Sequence, residues 1–343
     1  MSTAPQVAPD GAPNGSGGSF LARRRNPRRR AGGGSAPRPQ RTAVLLVAPT
    51  LVVLAVVIGY PVLRAVWMSF QADERVDENG FFVEGGFAGF DNYTHWLLER
   101  CGDVACPPGS LGASFWEVVW ITVFFTVVTV SIELVLGFWF AVIMNGKFRG
   151  RGLVRAAVLI PWAIPTAVTA KLWYFIFSYN GIANQLFNTD IVWFGDKWAA
   201  RSAIIVSDVW KTTPFMALLI LAGLQLISDD VYEAAKVDGA SAWQRFWSIT
   251  VPLVKPAVVV ALLFRTLDVL RMYDLPEIMT GGGAGDGNDT TTLSILVIDQ
   301  VREGFNGAAA LSTLTFLFIF GVAFVFIKVL GASATGAEGK AKR

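Results

Sequence analysis

Residues 229–252 read DDVYEAAKVDGASAWQRFWSITVP and separate two long apolar runs. The stretch predicts two short helices joined at Gly239, because glycine readily adopts the left-handed conformation that ends a helix. Asp229 is a candidate N-cap of the first helix, and Pro252 is expected to begin the apolar helix that follows. We therefore expect a polar elbow, defined as residues 229–252, between two apolar helices.

Long apolar runs recur on both sides of the elbow. Of the 343 residues, 53% are hydrophobic and 16% are charged, well below the charged fraction of about 25% that is usual in soluble domains. About 20 apolar residues are needed to cross a bilayer. Six segments have this length: 43–70, 115–144, 154–178, 202–227, 254–275 and 308–331. The sequence predicts an all-α membrane protein with six transmembrane helices and argues against an ordinary soluble enzyme.

The basic residues predict the orientation of these helices. With the N-terminus in the cytoplasm, the cytoplasmic loops and tails carry 19 Lys and Arg, and the external loops carry five. Because cytoplasmic segments of membrane proteins are rich in Lys and Arg, both termini and the elbow are expected inside. Residues 1–41, rich in Arg, Gly and Pro, are expected to form a disordered cytoplasmic tail that sets the topology and binds no nucleic acid. Residues 42–343 form the predicted transmembrane domain.

The segment 71–114 is then an external loop, and it contains both cysteines of the chain. Cys101 and Cys106 enclose four residues, and the oxidising exterior permits a disulfide between them; two free thiols are the alternative. His95 lies in the same loop without further ligands for a zinc cluster, so we expect a surface or packing role and no metal.

Charged residues also lie within the predicted spans, where they are costly unless they face a polar interior. They are Glu133 in the second span, Asp208 and Lys211 in the fourth, and Arg265, Asp268 and Arg271 in the fifth. One helix face of the fourth span presents four residues at i, i+3, i+4 and i+7, namely Asp208, Lys211, Thr212 and Phe215. Spans two to five are therefore expected to surround a polar site. In the alternative, Asp208–Lys211 and Asp268–Arg271 are ion pairs within one helix that only neutralise buried charge.

The spacing within the elbow resembles a known family. Glu233-Ala-Ala, then three residues, Gly239, nine residues, Ile249, one residue, an aliphatic residue and Pro252 is the EAA pattern of permease subunits of binding-protein-dependent ABC importers; valine replaces the usual leucine at position 251. The resemblance implies the type I ABC importer permease fold. It also implies that residues 229–245 form a coupling helix that docks into a cytoplasmic ATPase. The implied coupling residues are Glu233, Ala234, Ala235, Asp238, Gly239 and Ala240.

Other stretches narrow this resemblance to sugar importers. IPWAIP at 160–165 and the segment 274–283 resemble the first permease of maltose-type carbohydrate importers. VWKTTPF at 209–215 and ALLFRTLD at 261–268 resemble permeases of mycobacterial trehalose importers. The implied cargo is trehalose, with maltose or another α-glucoside as the alternative and glycerol-phosphate-type cargo after these.

The same resemblance implies a sugar site in the middle of the membrane. The implied residues are Trp162, Thr166, Asp208, Lys211, Thr212, Phe215, Asp268 and Arg271. Their chemistry is suitable, because carboxylates and guanidinium groups hydrogen-bond sugar hydroxyls and aromatic faces cover the apolar side of sugar rings. Glu133, Lys171 and Arg265 match no implied site position and are interpreted as pairing or interface residues.

The chain contains no Gly-x-x-x-x-Gly-Lys-Ser/Thr loop, so ATP and Mg²⁺ are expected on partner subunits, with no cofactor and no catalytic residue in this chain. The implied partners are a second permease, a cytoplasmic ATPase dimer and an external sugar-binding protein or lipoprotein, together with the sugar and the lipids of the cytoplasmic membrane. Two other classes of protein are the alternatives. One is a proton-coupled transporter using Glu133 and Asp208, and the other is a membrane enzyme acting on lipids or glycans.

Overall fold

The computed structural model describes residues 39–76, 81–285 and 287–328. Most of the tail predicted to be disordered, and the last 15 residues, lie outside this range. The chain divides into two units, residues 1–55 and 56–343. The first unit contains helix α1, Pro39–Leu54.

The second unit is built mainly from helices of very different lengths. They are α2 Tyr60–Met68, α3 Asp91–Leu98, α4 Phe115–Asn145, α5 Arg151–Ala163, α6 Thr166–Phe177, α7 Ile182–Phe187, α8 Lys197–Gln225, α9 Asp229–Val237, α10 Ala242–Arg245, α11 Val251–Val269, α12 Asp274–Thr280, α13 Leu293–Glu303 and α14 Phe305–Phe326. Two short antiparallel hairpins precede α4, β1 Arg75–Val76 with β2 Phe82–Val83 and β3 Arg100–Cys101 with β4 Val104–Ala105.

Five helical stretches among the described residues are long and apolar enough to cross a membrane. They are Leu46–Met68, Leu111–Asn145, Lys197–Gln225, Ala242–Val269 and Phe305–Phe326. The predicted span 154–178 is not one continuous helix, because α5 and α6 meet at an angle of 90°. Pro165 causes this break: it disfavours helical geometry at the preceding residue, and Ile164 is extended, with φ −75° and ψ 133°. A count of six spans requires the bent pair to cross as one unit.

The fifth predicted span has different limits from those expected. Helical structure already begins at Ala242, and Pro252 lies inside it. A π turn over Phe246–Thr250 comes directly before α11, and such local changes accommodate a proline without ending the helix. The span ends at Val269, six residues before the expected end, and a separate helix starts at Asp274.

Helix α8 is the central helix of the second unit, and it packs against α4, α5, α6, α11 and α12. Glycines allow two of these close contacts. A Cβ atom at Gly137 on α4 would lie 2.7 Å from Cγ of Met216, and one at Gly223 on α8 would lie 2.3 Å from Cβ of Ala257 on α11. Small residues at helix crossings let backbones approach closely, so these glycines bring α4, α8 and α11 together.

The segment 71–114 is anchored on the start of α14. The carboxylate of Asp73 accepts hydrogen bonds from the backbone N–H groups of Asn306 (2.7 Å) and Gly307 (2.8 Å), which satisfies two donors at the helix N-terminus. The buried indole of Trp96 donates to the carbonyl of Gly307 (3.3 Å). This loop is therefore a packed part of the unit.

A disulfide joins Cys101 and Cys106 across the β3–β4 hairpin. The Nδ1 atom of His95 lies 2.8 Å from the carbonyl oxygen of Arg100 and 3.8 Å from Sγ of Cys106. The histidine and both sulfur atoms lie within 4.8 Å of one another. Because the sulfurs are bonded to each other, they are not thiolate ligands in this structure.

We predict that Gly223→Ala destabilises the protein, because the added methyl group would collide with Ala257 at the α8–α11 crossing. Overpacking of this kind costs about 1–3 kcal/mol. The matched control is Gly321→Ala on α14, where nothing lies within 4 Å of the added Cβ. The measurement is the midpoint of thermal aggregation of the detergent-solubilised protein. Equal midpoints for the two variants would contradict the packing described here.

Candidate functional site

A buried arginine links three of the long helices. The side chain of Arg265 on α11 is 2% exposed, and its Nε and Nη2 atoms donate to the carboxylate of Glu133 on α4 at 2.6 and 2.9 Å. Its Nη2 atom also donates to Asp208 on α8, and its Nη1 atom donates to Asp268 on α11. We call these four residues the Arg265 cluster. A charge buried among apolar helices is tolerated when it is paired, so this cluster brings α4, α8 and α11 into one polar site.

Thr212 connects the cluster to the backbone of α8. Its Oγ1 atom lies 2.6 Å from Oε1 of Glu133 and 2.5 Å from the carbonyl oxygen of Asp208. Glu133 itself is fully buried. Its carboxylate thus has partners on both α8 and α11, and its position is fixed by the packing of three helices.

A cavity of about 160 Å³ opens beside the cluster. Its lining comes from the start of α6, the middle of α8, the end of α11 and the segment that follows α11. The lining residues are Thr166, Asp208, Lys211, Thr212, Arg265, Asp268, Val269, Arg271, Met272, Tyr273, Asp274 and Leu275. Within the cluster, Asp268 is the accessible member, with 65% of its side chain exposed, against 5% for Asp208. The cavity therefore meets the cluster mainly at Asp268.

Lys211 lies at the break between α5 and α6. Its Nζ atom donates to the carbonyl oxygen of Ile164 at 2.5 Å, and this carbonyl belongs to the C-cap residue of α5. The first residue of α6, Thr166, lines the cavity next to it. The lysine therefore satisfies a backbone acceptor that the break leaves without a helical partner.

Six of the eight residues predicted for a sugar site line this one cavity: Thr166, Asp208, Lys211, Thr212, Asp268 and Arg271. The other two, Trp162 and Phe215, are outside the lining. Their rings stack on each other, with centroids 6.1 Å apart and an angle of 17° between the planes. Trp162 is half-exposed, so an aromatic face remains available beside the break.

The two alternative pairs, Asp208–Lys211 and Asp268–Arg271, are not formed among the described residues, although Asp268 does pair within α11, with Arg265. Asp208 and Asp268 both bond to Arg265, while Arg271 donates to the carbonyl oxygen of Leu267 at 3.2 Å. The buried guanidinium of Arg265 requires anionic partners, and these two carboxylates lie within hydrogen-bond distance of it. The interpretation of Glu133 and Arg265 as pairing residues is confirmed by their bidentate contact.

Lys171 is also predicted to be a pairing or interface residue. It lies away from the cluster, with its ammonium group 5.4 Å from the ring centroid of Tyr174. Five further residues line the cavity without a signal for a binding site in the sequence: Val269, Met272, Tyr273, Asp274 and Leu275. Four of them follow Val269, where the structure ends the fifth span, whereas the sequence predicts that the span continues to residue 275. The acidic start of α12, at Asp274, was the available signal for a helix boundary.

The elbow contains the left-handed glycine that the sequence predicted. Gly239 has φ +80°, and its N–H donates to the carbonyl of Lys236 (3.0 Å). The N–H of Ala240 donates to the carbonyl of Ala235 (2.9 Å), which completes a Schellman motif at the end of α9. The next helix then starts at a capping box formed by Ser241 and Gln244.

Asp229 is not the N-cap of α9, because Ser228 holds that position. Asp229 instead forms an ion pair with Lys147 at 2.7 Å, and this hydrogen bond holds the pKa of the Asp229 carboxyl below its usual range. The pair links the elbow to the segment between α4 and α5.

The outer face of the elbow is open to its surroundings. Of the residues predicted to couple to a partner, Glu233, Ala234, Asp238 and Gly239 are exposed, while Ala235 and Ala240 are half-buried. Val237 is 88% exposed and Trp243 is 70% exposed. The hydroxyl of Tyr232 lies 3.0 Å from Oγ1 of Thr250 and links α9 to the π turn before α11. The elbow thus has internal polar contacts and carries exposed apolar side chains, as interaction surfaces do.

The chain is similar to known transport permeases. Residues 133–334 match the family described as "binding-protein-dependent transport system inner membrane component". The trehalose/maltose transport system permease MalF of Thermococcus litoralis is 41% identical over 298 residues, which are 85% of this chain and 94% of the relative. The trehalose transport system permease SugA of Mycobacterium tuberculosis is 39% identical over 302 residues, which are 87% and 92% of the two chains.

The fold also matches a solved structure. A chain of a bacterial ABC transporter that imports the acidic polysaccharide alginate superimposes with a TM-score of 0.66 at 20% identity, covering 86% of this chain and 96% of the other. The family match over residues 133–334, the identity to these relatives and the EAA pattern of the elbow show that the chain belongs to the family of binding-protein-dependent ABC importer permeases, the inner-membrane components of such systems.

Proposed function

We propose that this chain is the transmembrane subunit of an ATP-driven importer that carries an uncharged disaccharide, with trehalose as the first candidate, across the cytoplasmic membrane. The names of the relatives support the cargo class, and the cavity beside the Arg265 cluster supports a polar, uncharged ligand. In this proposal the bent pair α5–α6 crosses as one span, so six spans place both termini in the cytoplasm. Substrate passes by alternating access.

The proposal rests on which charged side chains of the cavity already have partners within the protein. Of the three basic residues that line the cavity, Arg265 and Lys211 are already bonded, to three carboxylates and to the carbonyl of Ile164, while Arg271 is exposed and donates from Nε to the carbonyl of Leu267. Asp268, by contrast, is accessible, and none of the described residues donates a hydrogen bond to its Oδ1 atom. A carboxylate is a pure acceptor, and sugar hydroxyls are donors. The accessible carboxylate of Asp268 therefore suits a polyhydroxylated molecule that donates hydrogen bonds, and its negative charge disfavours a phosphorylated one.

The cavity of this chain is too small to enclose such a cargo alone. Its volume of about 160 Å³ is below the roughly 300–1,000 Å³ of typical ligand pockets. In the proposal a second permease subunit supplies the opposite wall. The stacked rings of Trp162 and Phe215 lie beside the break and offer an aromatic face for a sugar ring.

The elbow is proposed to connect the cavity to an ATPase dimer. Asp208, Lys211 and Thr212 lie on α8, which leads into the elbow, while Arg265 and Asp268 lie on α11, which follows it. Glu233 and the exposed residues near Gly239 form the proposed docking surface. ATP and Mg²⁺ bind to the ATPase, an external binding protein delivers the sugar, and these ligands shift the equilibrium between the two open states.

The first test is sugar uptake in a strain from which the gene is deleted. We expect the wild-type chain to restore uptake of radiolabelled trehalose, and Asp268→Asn to raise the KM about tenfold, because a charged acceptor for a hydroxyl is lost. The control is Asp190→Asn, which removes an exposed carboxylate outside the cavity lining. Trehalose uptake that does not change on deletion would reject trehalose as the cargo.

A competition experiment tests the charge of the cargo. Unlabelled trehalose is expected to inhibit uptake of the labelled sugar, and trehalose 6-phosphate at the same concentration is expected to leave uptake unchanged. Inhibition by maltose would favour the broader α-glucoside specificity. Equal inhibition by the phosphorylated sugar would contradict the assignment of a neutral cargo.

Replacement of Gly239 tests the elbow. Valine is strained at its φ of +80°, so Gly239→Val is expected to leave the protein in the membrane and to abolish stimulation of the ATPase by the sugar-loaded binding protein. Gly150→Val is the matched control, because Gly150 has φ +89° and, like Gly239, nothing within 4 Å of an added Cβ. Stimulation that is normal in Gly239→Val would exclude the proposed coupling role of this turn.

A further inference from the structure

The Arg265 cluster has a buried side and an open side. Glu133 lies on the buried side, fully enclosed and outside the cavity lining. Asp268 lies on the open side: 65% of its side chain is exposed, and it lines the cavity. Arg265 lies between them and bonds to both. An effect of Glu133 on a ligand in the cavity must therefore pass through another residue.

We propose that Arg265 is a positioning residue: held in a fixed orientation by Glu133, it sets the place and direction of the Asp268 carboxylate that receives the sugar hydroxyls. This inference rests on the proposed function, since it assigns roles within the same site. It makes Asp268 the residue that contacts cargo, and Arg265 and Glu133 the residues that determine how well Asp268 does so.

The geometry of the guanidinium supports this division. Glu133 engages the Nε edge with both oxygens, and a bidentate contact fixes the plane of the group as well as its distance. Once that plane is fixed, the Nη1 atom points in one direction, where it donates to Asp268. Thr212 in turn holds Glu133, at 2.6 Å from its Oε1 atom. Asp208 on α8 also accepts from Arg265, so the guanidinium is held by two carboxylates and in turn holds Asp268.

The position of Asp268 explains why it needs such support. It is the second-last residue of α11, and most of its side chain is exposed. An exposed carboxylate near a helix end samples several rotamers and loses that freedom when it binds a ligand. A partner that holds one rotamer before the ligand arrives reduces this cost, so affinity for cargo depends on the partner.

A double-mutant cycle on uptake kinetics tests the proposal. Glu133→Gln keeps the shape of the side chain but removes the charge that orients Arg265. We expect it to raise the KM for trehalose about tenfold, with Vmax within about twofold of wild type. On the background of Asp268→Asn, the same change is expected to alter the KM less than twofold, because the positioned group is already lost. The proposal is overturned if Glu133→Gln leaves the KM unchanged. It is also overturned if the fold-change in KM of the double variant equals the product of the two single fold-changes, because independent effects multiply.

The identity of the buried cation is tested with matched lysine variants. Arg265→Lys keeps the charge but has no planar fork, so it is expected to raise the KM by a similar factor at normal membrane levels. Arg201→Lys is the control: Arg201 is also buried, at 7% exposed against 2% for Arg265, and donates to the carbonyl and carboxylate of Asp289, outside the cavity. It is expected to leave the KM unchanged. If both variants reduce only protein level, with a wild-type KM, Arg265 has a purely structural role.

A measurement without cargo separates this inference from the proposed function. The structure of the assembled transporter with Glu133→Gln, determined by electron cryomicroscopy in nanodiscs, is expected to show Asp268 detached from Arg265. An intact Arg265–Asp268 contact would overturn the positioning role. If the wild-type protein transports neither trehalose nor maltose, the proposed function fails on that result, and this structural measurement still decides the inference.

Discussion

A buried guanidinium group must be paired, and this requirement organises the membrane part of the chain. Arg265 is surrounded by carboxylates from α4, α8 and α11, and none of the three helices can move away without leaving a charge unpaired. The close crossings at Gly137 and Gly223 bring the same helices near enough for these contacts. The cavity lies beside the cluster, next to Asp268, the accessible member of the cluster.

The arrangement has a mechanical consequence. The helices before and after the elbow both contribute to the Arg265 cluster, and both line the cavity. Lys211 adds a further link, because it connects the middle of α8 to the break in α5–α6. Under the proposed function, a displacement of the elbow would therefore change the relative position of the groups that line the cavity. Packed helices with polar contacts move between discrete arrangements, as the proposed alternating access requires.

The local features of the fold could be predicted from the sequence, and the long-range ones could not. The left-handed turn at Gly239 and most of the long apolar helices follow from residue type and run length. Spacing within one helix also placed Asp208, Lys211 and Thr212 on a common face. Spacing within a helix does not predict which residues of other helices contact that face. The contact between Glu133 and Arg265, which are 132 residues apart in the sequence, could therefore be found only in the structure. The angle of 90° at Ile164–Pro165 could not be predicted, because proline is often tolerated in membrane helices and residue type does not give the angle of a kink.

The central claim is that the elbow receives the movement of an ATPase and passes it to the cavity. It is tested most directly by a photo-crosslinking amino acid at position 237 in the elbow, where the native valine is 88% exposed. In the assembled, transport-competent complex, the account predicts a crosslink to the ATPase subunit whose yield changes when ATP is added. A crosslink to lipid alone, or none to the ATPase in a complex that still transports, would contradict it.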